Sequence, residues 1–232
     1  MNGCNLSETC EKFKNNKCLF PEIKSICIRE SKLNFLYDKA RLSKNQRLPI
    51  HLCISENDPD YNNFIKLKGI ETNIVDYVNK GENIYIHSTI CGNGKTAWSV
   101  KLLQSYLNAI WYKSEFKCRA LFINVPKFLL DLKASISNPS KEMDQLKQDI
   151  FNADLVVWDE VATKTLTPYE HEYLLTFIDS RIDEGKANIY TSNMNADDLA
   201  ERLGPRLYSR IVSLSEGNEI IFRGSDKRGL YK

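Results

Sequence analysis

Residues 83–97 read NIYIHSTICGNGKTA, and this stretch decides the fold. NIYIHS (83–88) has the apolar crowding of a short buried strand, and TAWSVKLLQSYLNAIWY (96–112) has helical spacing. Between them lies a glycine-bearing turn that ends in Gly94, Lys95 and Thr96. Strand, glycine loop and helix in this order make a phosphate-binding loop. Glycines let backbone N–H groups curl around phosphate oxygens, and the helix start adds partial positive charge. Gly92, Asn93, Gly94, Lys95, Thr96 and Ala97 are therefore the expected nucleotide-binding set. Lys95 would neutralise the β- and γ-phosphates, and the Thr96 hydroxyl would hold Mg²⁺. The usual pattern, G-x-x-x-x-G-K-[ST], has glycine first, where this chain carries Thr89. That departure matters if the position needs a positive φ.

Downstream, apolar strands alternate with helices. RALFINVP (119–126) predicts a strand, then KFLLDLKASI and KEMDQLKQDIFN predict helices separated by SNPS. DLVVWDE (154–160) is a strand that ends in two acids. PYEHEYLLTFIDSRIDEG is a helix closing at Gly185, ANIYTSN (187–193) a strand, and NEIIFRG (218–224) a last strand. ADDLAERLG and PRLYSRIVSL are short helices between the last two strands. Such alternation argues for an α/β fold, a doubly wound parallel sheet covered on both faces. Ligands bind such sheets at the C-terminal ends of the strands. Asp159 there suits Mg²⁺, and Glu160 suits a general base that polarises water. Asn193, at the tip of the next strand, can contact a γ-phosphate or align water. Arg206 and Arg210 stand one helical turn apart and share a face. Trp158 reads as core.

The order of phosphate loop, Asp-Glu strand, strand ending in Asn and R-x-x-x-R resembles an AAA+ ATPase. More closely, TSNMNADDLAERLGPRLYSRI is similar to T-[ST]-N-L-x-x-x-E-L-x-x-x-L-G-x-R-[LV]-x-[SD]-R of the DnaC/DnaI/IstB-like ATPases. These are bacterial and phage replicative helicase loaders and transposition helpers. The resemblance covers residues 64–232. It implies an ATPase that uses ATP and Mg²⁺, with Asn193 as sensor 1 and Arg210 as an arginine finger acting on a neighbouring copy in an oligomer. Arg206 matches the other arginine of that box. Arg228 is the counterpart of the sensor 2 arginine in the family's G-x-x-[YF]-R tail, although here the tail reads GSDKRG. Only 22 residues follow Arg210, too few for the helical lid domain of most AAA+ proteins. The resemblance also implies a hexameric replicative helicase and single-stranded DNA as partners. Lys127, Phe128 and Lys133 fall near the family's DNA contacts, but Phe128, Leu129 and Leu130 fit a core helix better than a stacking role.

Upstream, FIKLKGIETNIVDYVN (64–79) has helical spacing, and SENDPDYNN (55–63) reads as a linker. Residues 1–54 are then a separate helicase-docking module. Leu33, Leu36, Tyr37 and Ala40 give it a helical face. Cys4, Cys10, Cys18 and Cys27 crowd its start, four of the chain's seven cysteines. Four thiolates could hold a structural Zn²⁺, and the loader resemblance includes zinc-binding modules. Without a C-x₂₋₄-C knuckle, four unlinked thiols remain an equal reading. Cys53, Cys91 and Cys118 are dispersed and read as packing residues.

The 232 residues carry a net charge of +2, with 42% hydrophobic and 27% charged residues. This excludes a fibre or a disordered tail. Residues 1–50 hold ten Lys/Arg against five Asp/Glu, so the basic excess is N-terminal. No apolar run approaches the roughly 18–20 residues that span a bilayer. The start has no signal-peptide core, which points to a cytoplasmic protein without a membrane partner. The expected activity is thus ATP-dependent loading of a replicative helicase. An IstB-like transposition helper, a P-loop small-molecule kinase and a non-hydrolysing adaptor are the alternatives. Chromosomal, phage and mobile-element origins all fit the sequence.

Overall fold

The computed structural model describes residues 10, 14, 15, 18 and 27–227. Five strands form one sheet: β1 (Asn83–His87), β2 (Ala120–Asn124), β3 (Leu155–Asp159), β4 (Ala187–Ser192) and β5 (Glu219–Ile221). Their spatial order is β2-β3-β4-β1-β5, and every neighbouring pair is parallel. The helices are α1 (Ile28–Lys39), α2 (Tyr61–Thr72), α3 (Ile74–Asn79), α4 (Lys95–Ile110), α5 (Val125–Ser137), α6 (Lys141–Asn152), α7 (Pro168–Asp183) and α8 (Ala196–Ile211). Among the described residues no helix is long and apolar enough to cross a membrane.

Strand parity divides the core. Successive side chains point to opposite faces. Ile84, Ile86, Leu155, Val157 and Ile189 therefore pack with α1 to α4. Tyr85, Val156, Trp158, Tyr190, Leu121 and Ile123 pack with α5 to α8. Because both faces are covered, β1, β3 and β4 are buried at every position. Trp158 lies wholly in the core, as its sequence context indicates. Phe128 and Leu129 are also core, but Leu130 is exposed, as are Lys127 and Lys133.

Local chemistry sets the boundaries. The strand expected over 119–126 stops at Asn124, because its side chain accepts from Lys127 N at 3.2 Å and caps α5, with Pro126 in the first turn. A reciprocal capping box between Thr167 and Glu170 opens α7. The single helix expected over 64–79 is split at Asn73. Within α8, Gly204 has φ 72 and ψ 163, so the two expected short helices meet at a kink before Pro205.

Residues 28–54 cross the expected seam. Leu33, Leu36, Tyr37 and Leu42 belong to the same core as α4 and the sheet. Phe122 N donates to Ala40 O at 2.9 Å, and Lys101 Nζ donates to Ile50 O at 2.7 Å. Gln104 Nε2 donates to Leu48 O at 3.1 Å. Residues 55–60 form turns whose Asp60 is fully buried.

One buried cation ties the second layer to the sheet. Arg181 on α7 is 1% exposed. It donates to the carbonyls of Ile150, Ala153 and Ala187 and to Asn188 Oδ1. Burial pulls its pKa down to about 10.

Candidate functional site: a phosphate loop facing an acidic strand end

The site begins where β1 leaves the sheet. Ser88 Oγ accepts from Ile90 N at 3.0 Å and from Asn93 Nδ2 at 2.6 Å, which folds the loop over itself. Positive φ falls at Gly92 (77) and Gly94 (105), the two glycines of the motif. Thr89 does not adopt positive φ, so a side chain there is unstrained. Lys95, the first residue of α4, is 7% exposed, and its ammonium donates to Ile90 O at 2.8 Å and Asn93 Oδ1 at 3.1 Å. Asn93 thus aims the lysine while it is itself held by Ser88.

The acidic strand faces this loop. Thr96 Oγ1 donates to Asp159 Oδ1 at 2.9 Å, and Thr191 Oγ1 donates to the same oxygen at 2.7 Å. Burial raises the Asp159 pKa above the ordinary aspartate value, and the two hydroxyl bonds oppose that shift. Glu160 has φ 62, a conformation that bulky L-residues seldom adopt. Its backbone N donates to Thr191 Oγ1 at 3.0 Å. Strain of this kind gathers at functional sites. Asn124 Nδ2 donates to Glu160 Oε2 at 3.1 Å. Asn124 is thus both the α5 cap and the partner of the acid.

Glu160, Thr191 and Asn193 line one cleft of about 430 Å³ together with Gly92, Asn93, Gly94, Lys95, Thr96 and Ala97. Leu52, Ile54, Phe64, Trp98 and Phe222 give it an apolar wall, with Phe64 set edge-on to Trp98 at 5.2 Å. The cleft offers cationic and N–H donors at one part and apolar surface at another, the division that a nucleotide needs. A hydroxyl beside a carboxylate is a hard oxygen pair that suits Mg²⁺.

Several positions differ from the sequence expectation. Cys53 and Cys91 are exposed on the cleft wall rather than packed, because the loops that carry them lie outside the sheet layers. Cys118 is packed, and burial pushes its thiol up to about 12. Arg206 and Arg210 stand away from the cleft, where both pair with Asp179. Among the described residues no three His, Cys, Asp or Glu side chains gather as metal ligands. Cys10 packs against the apolar core, and Cys27 supplies the N-cap backbone of α1. Cys4 and Arg228 lie outside the described residues. Asn124 and Lys227 enter the site unheralded. Asn124 was hidden as a strand residue, although Asn before Val-Pro is a cap signal. Lys227 lines the cleft, and its N–H donates to Gly92 O at 2.9 Å.

No protein-family profile matches the chain. Over 91 residues it is 28% identical to the replicative helicase loader DnaC of Escherichia coli K12, a match covering 39% of this chain. The matched stretch spans 37% of the length of that relative. In structure it is similar to the DnaC helicase loader, with TM-score 0.59 and 18% identity over 73% of this chain and 94% of that one. DnaI gives TM-score 0.57 and 20% identity over 80% of this chain and 93% of that one. DnaA of Aquifex aeolicus bound to AMPPCP gives TM-score 0.54 and 18% identity over 74% of this chain and 48% of that one. The chain shares the parallel-sheet α/β fold of these proteins.

Proposed function

We propose that this chain is an ATP-dependent loader of a replicative helicase. The observation that carries the reading is the meeting of Lys95, Thr96, Glu160 and Asn193 in one cleft, with Asp159 bonded to Thr96 behind it, in a chain similar to DnaC. The likeness to DnaC and DnaI, which covers most of both of those chains, supports a loader over other ATPases.

In this reading the nucleotide phosphates lie in the loop 88–94 and draw the Lys95 ammonium from Ile90 O and Asn93. Thr96 and Asp159 would hold Mg²⁺, which supplies charge neutralisation at the phosphates. Glu160 polarises a water for in-line attack on the γ-phosphorus, giving ADP and inorganic phosphate. Asn124 holds the Glu160 carboxylate, and Asn193 orients the water or the γ-phosphate. Arg210 leaves Asp179 and reaches the site of a neighbouring copy, where it stabilises transition-state charge. Single-stranded DNA is the second partner. The hydrolytic cycle changes the state of the assembly and releases the helicase.

The test has two arms. Titration with a fluorescent ATP analogue should give saturable binding that Lys95→Ala abolishes. Pull-down from an extract of the source organism, with ADP and with an ATP analogue, should recover a replicative helicase. Recovery of a transposase instead replaces the loader with a transposition helper, and loss of neither binding nor capture in Lys95→Ala removes the nucleotide assignment.

A further inference from the structure

The acidic turn at 55–60 and the C-terminal segment 222–227 meet beside the cleft. The Asp60 carboxylate is fully buried and uses both oxygens on this tail: Oδ1 accepts from Arg223 N at 2.6 Å and Oδ2 from Gly224 N at 2.8 Å. A Cβ at Gly224 would stand 2.6 Å from Asp60 Oδ2, so the two segments fit closely only with glycine there. Asp58 Oδ1 accepts from Asp60 N at 2.9 Å, and Asp58 Oδ2 pairs with Lys227 Nζ at 3.1 Å. The Lys227 side chain is 12% exposed and the Asp58 side chain 22%, so the pair is largely withdrawn from solvent. The backbone of the same lysine is bonded to Gly92 of the phosphate loop. Lys227 therefore touches the phosphate loop, the acidic turn and the nucleotide cleft at once.

We propose that Asp58 and Lys227 form an exchangeable gate on this cleft. Asp58 holds the Lys227 ammonium when no nucleotide is bound, and the nucleotide polyphosphate takes it over on binding. The proposal rests on the nucleotide reading of the cleft. Asp60 keeps the backbone of 223–224 anchored, so the exchange moves one side chain and not the whole tail. In a partly desolvated site a carboxylate competes effectively for an ammonium, and a polyphosphate of higher charge outcompetes it. The Asp58 carboxylate then acts as an internal competitor that weakens nucleotide affinity.

The gate predicts effects of opposite sign. Calorimetric titration with ADP and with a non-hydrolysable ATP analogue compares wild type, Asp58→Asn, Lys227→Met and the double variant. Asp58→Asn should bind about three- to tenfold more tightly, because its competitor for Lys227 is gone, and Lys227→Met about tenfold more weakly. The double variant should match Lys227→Met. Asp60 is untouched in all three, and thermal melts verify folding. If both single variants weaken binding alike, the pair is only structural and the gate is overturned; unchanged affinity in both overturns it too. Wild type that binds nucleotide while Lys95→Ala does not preserves the nucleotide reading in either case. Wild type that binds no nucleotide brings down both.

Discussion

Thr96 Oγ1 donates to Asp159 Oδ1 at 2.9 Å, joining two residues 63 positions apart in the chain. This bond closes the phosphate loop onto the acidic strand end. Thr191, from the neighbouring strand β4, bonds the same oxygen at 2.7 Å. Asp159 is thereby fixed by both sides of the cleft, and its carboxylate is desolvated in the process.

That desolvation has a pH signature. Burial raises the folded-state pKa of Asp159, so the folded chain binds its proton more tightly than the unfolded chain. The resulting penalty is absent below the unfolded value of about 4 and is full above the raised folded value. Asp159→Asn keeps the acceptor oxygen for Thr96 and Thr191 and loses the penalty. Its nucleotide-free Tm should exceed that of wild type near neutral pH, and the gap should close on acidification through the raised value and down to the unfolded one. A gap that widens as pH falls would contradict the assignment.

Asn124 separates stability from turnover. Glu160→Gln should retain ATP and lose turnover by about 100-fold or more. Turnover by this variant within about tenfold of wild type would sink the base role. Asn124→Asp keeps an oxygen to cap Lys127 N but replaces the donor to Glu160 with a second carboxylate. Turnover should fall with little change in Tm. Asn124→Ala should lose the cap as well, at a cost of about 1 kcal/mol. An Asn124→Asp enzyme with wild-type turnover would show that the Glu160 contact is idle.

Arg210 is tested by complementation. Arg210 is about one-third exposed and Asp179 keeps Arg206 as a second partner, so Arg210→Ala should cost about 1 kcal/mol of stability. Nucleotide affinity of the monomer should not change. Arg210→Ala and Glu160→Gln should each be inactive alone. Mixed, an intact Glu160 in one copy can meet an intact Arg210 from its neighbour, and ATPase activity should reappear. A mixture as inactive as its components refutes action in trans.

Arg181 is the stability test. Arg181→Lys keeps the charge but cannot reach the carbonyls of Ile150, Ala153 and Ala187 and Asn188 Oδ1 together. A cost of about 2–4 kcal/mol is expected, from buried acceptors left unpaired. Urea unfolding would register it as a lower midpoint at unchanged slope. A shift below about 0.5 kcal/mol would mean that water or rearrangement satisfies those carbonyls.

Local pattern was enough for much of the molecule. Short apolar runs in NIYIH and LVVWD and helical spacing after Lys95 set the α/β class, because each is a local pattern of burial that a few neighbouring residues encode. The glycine turn at Gly92 and Gly94 and the helix start at Lys95 were legible for the same reason: backbone conformation and helix start are encoded within a few residues. The tertiary structure alone decided what depends on distant approach. It placed Leu33 and Leu36 in the sheet's core across the expected seam, exposed Cys53 and Cys91 on the cleft, and buried Arg181 among carbonyls. It also brought Asn124 to Glu160, and Asp58 and Asp60 to the tail that carries Lys227. The Asn124–Glu160 contact follows from the pairing of β2 with β3, and the pairing of β1 with β4 and β5 brings together segments more than 100 residues apart in the chain. A residue's period says which side it faces; only the closed sheet says what stands opposite it.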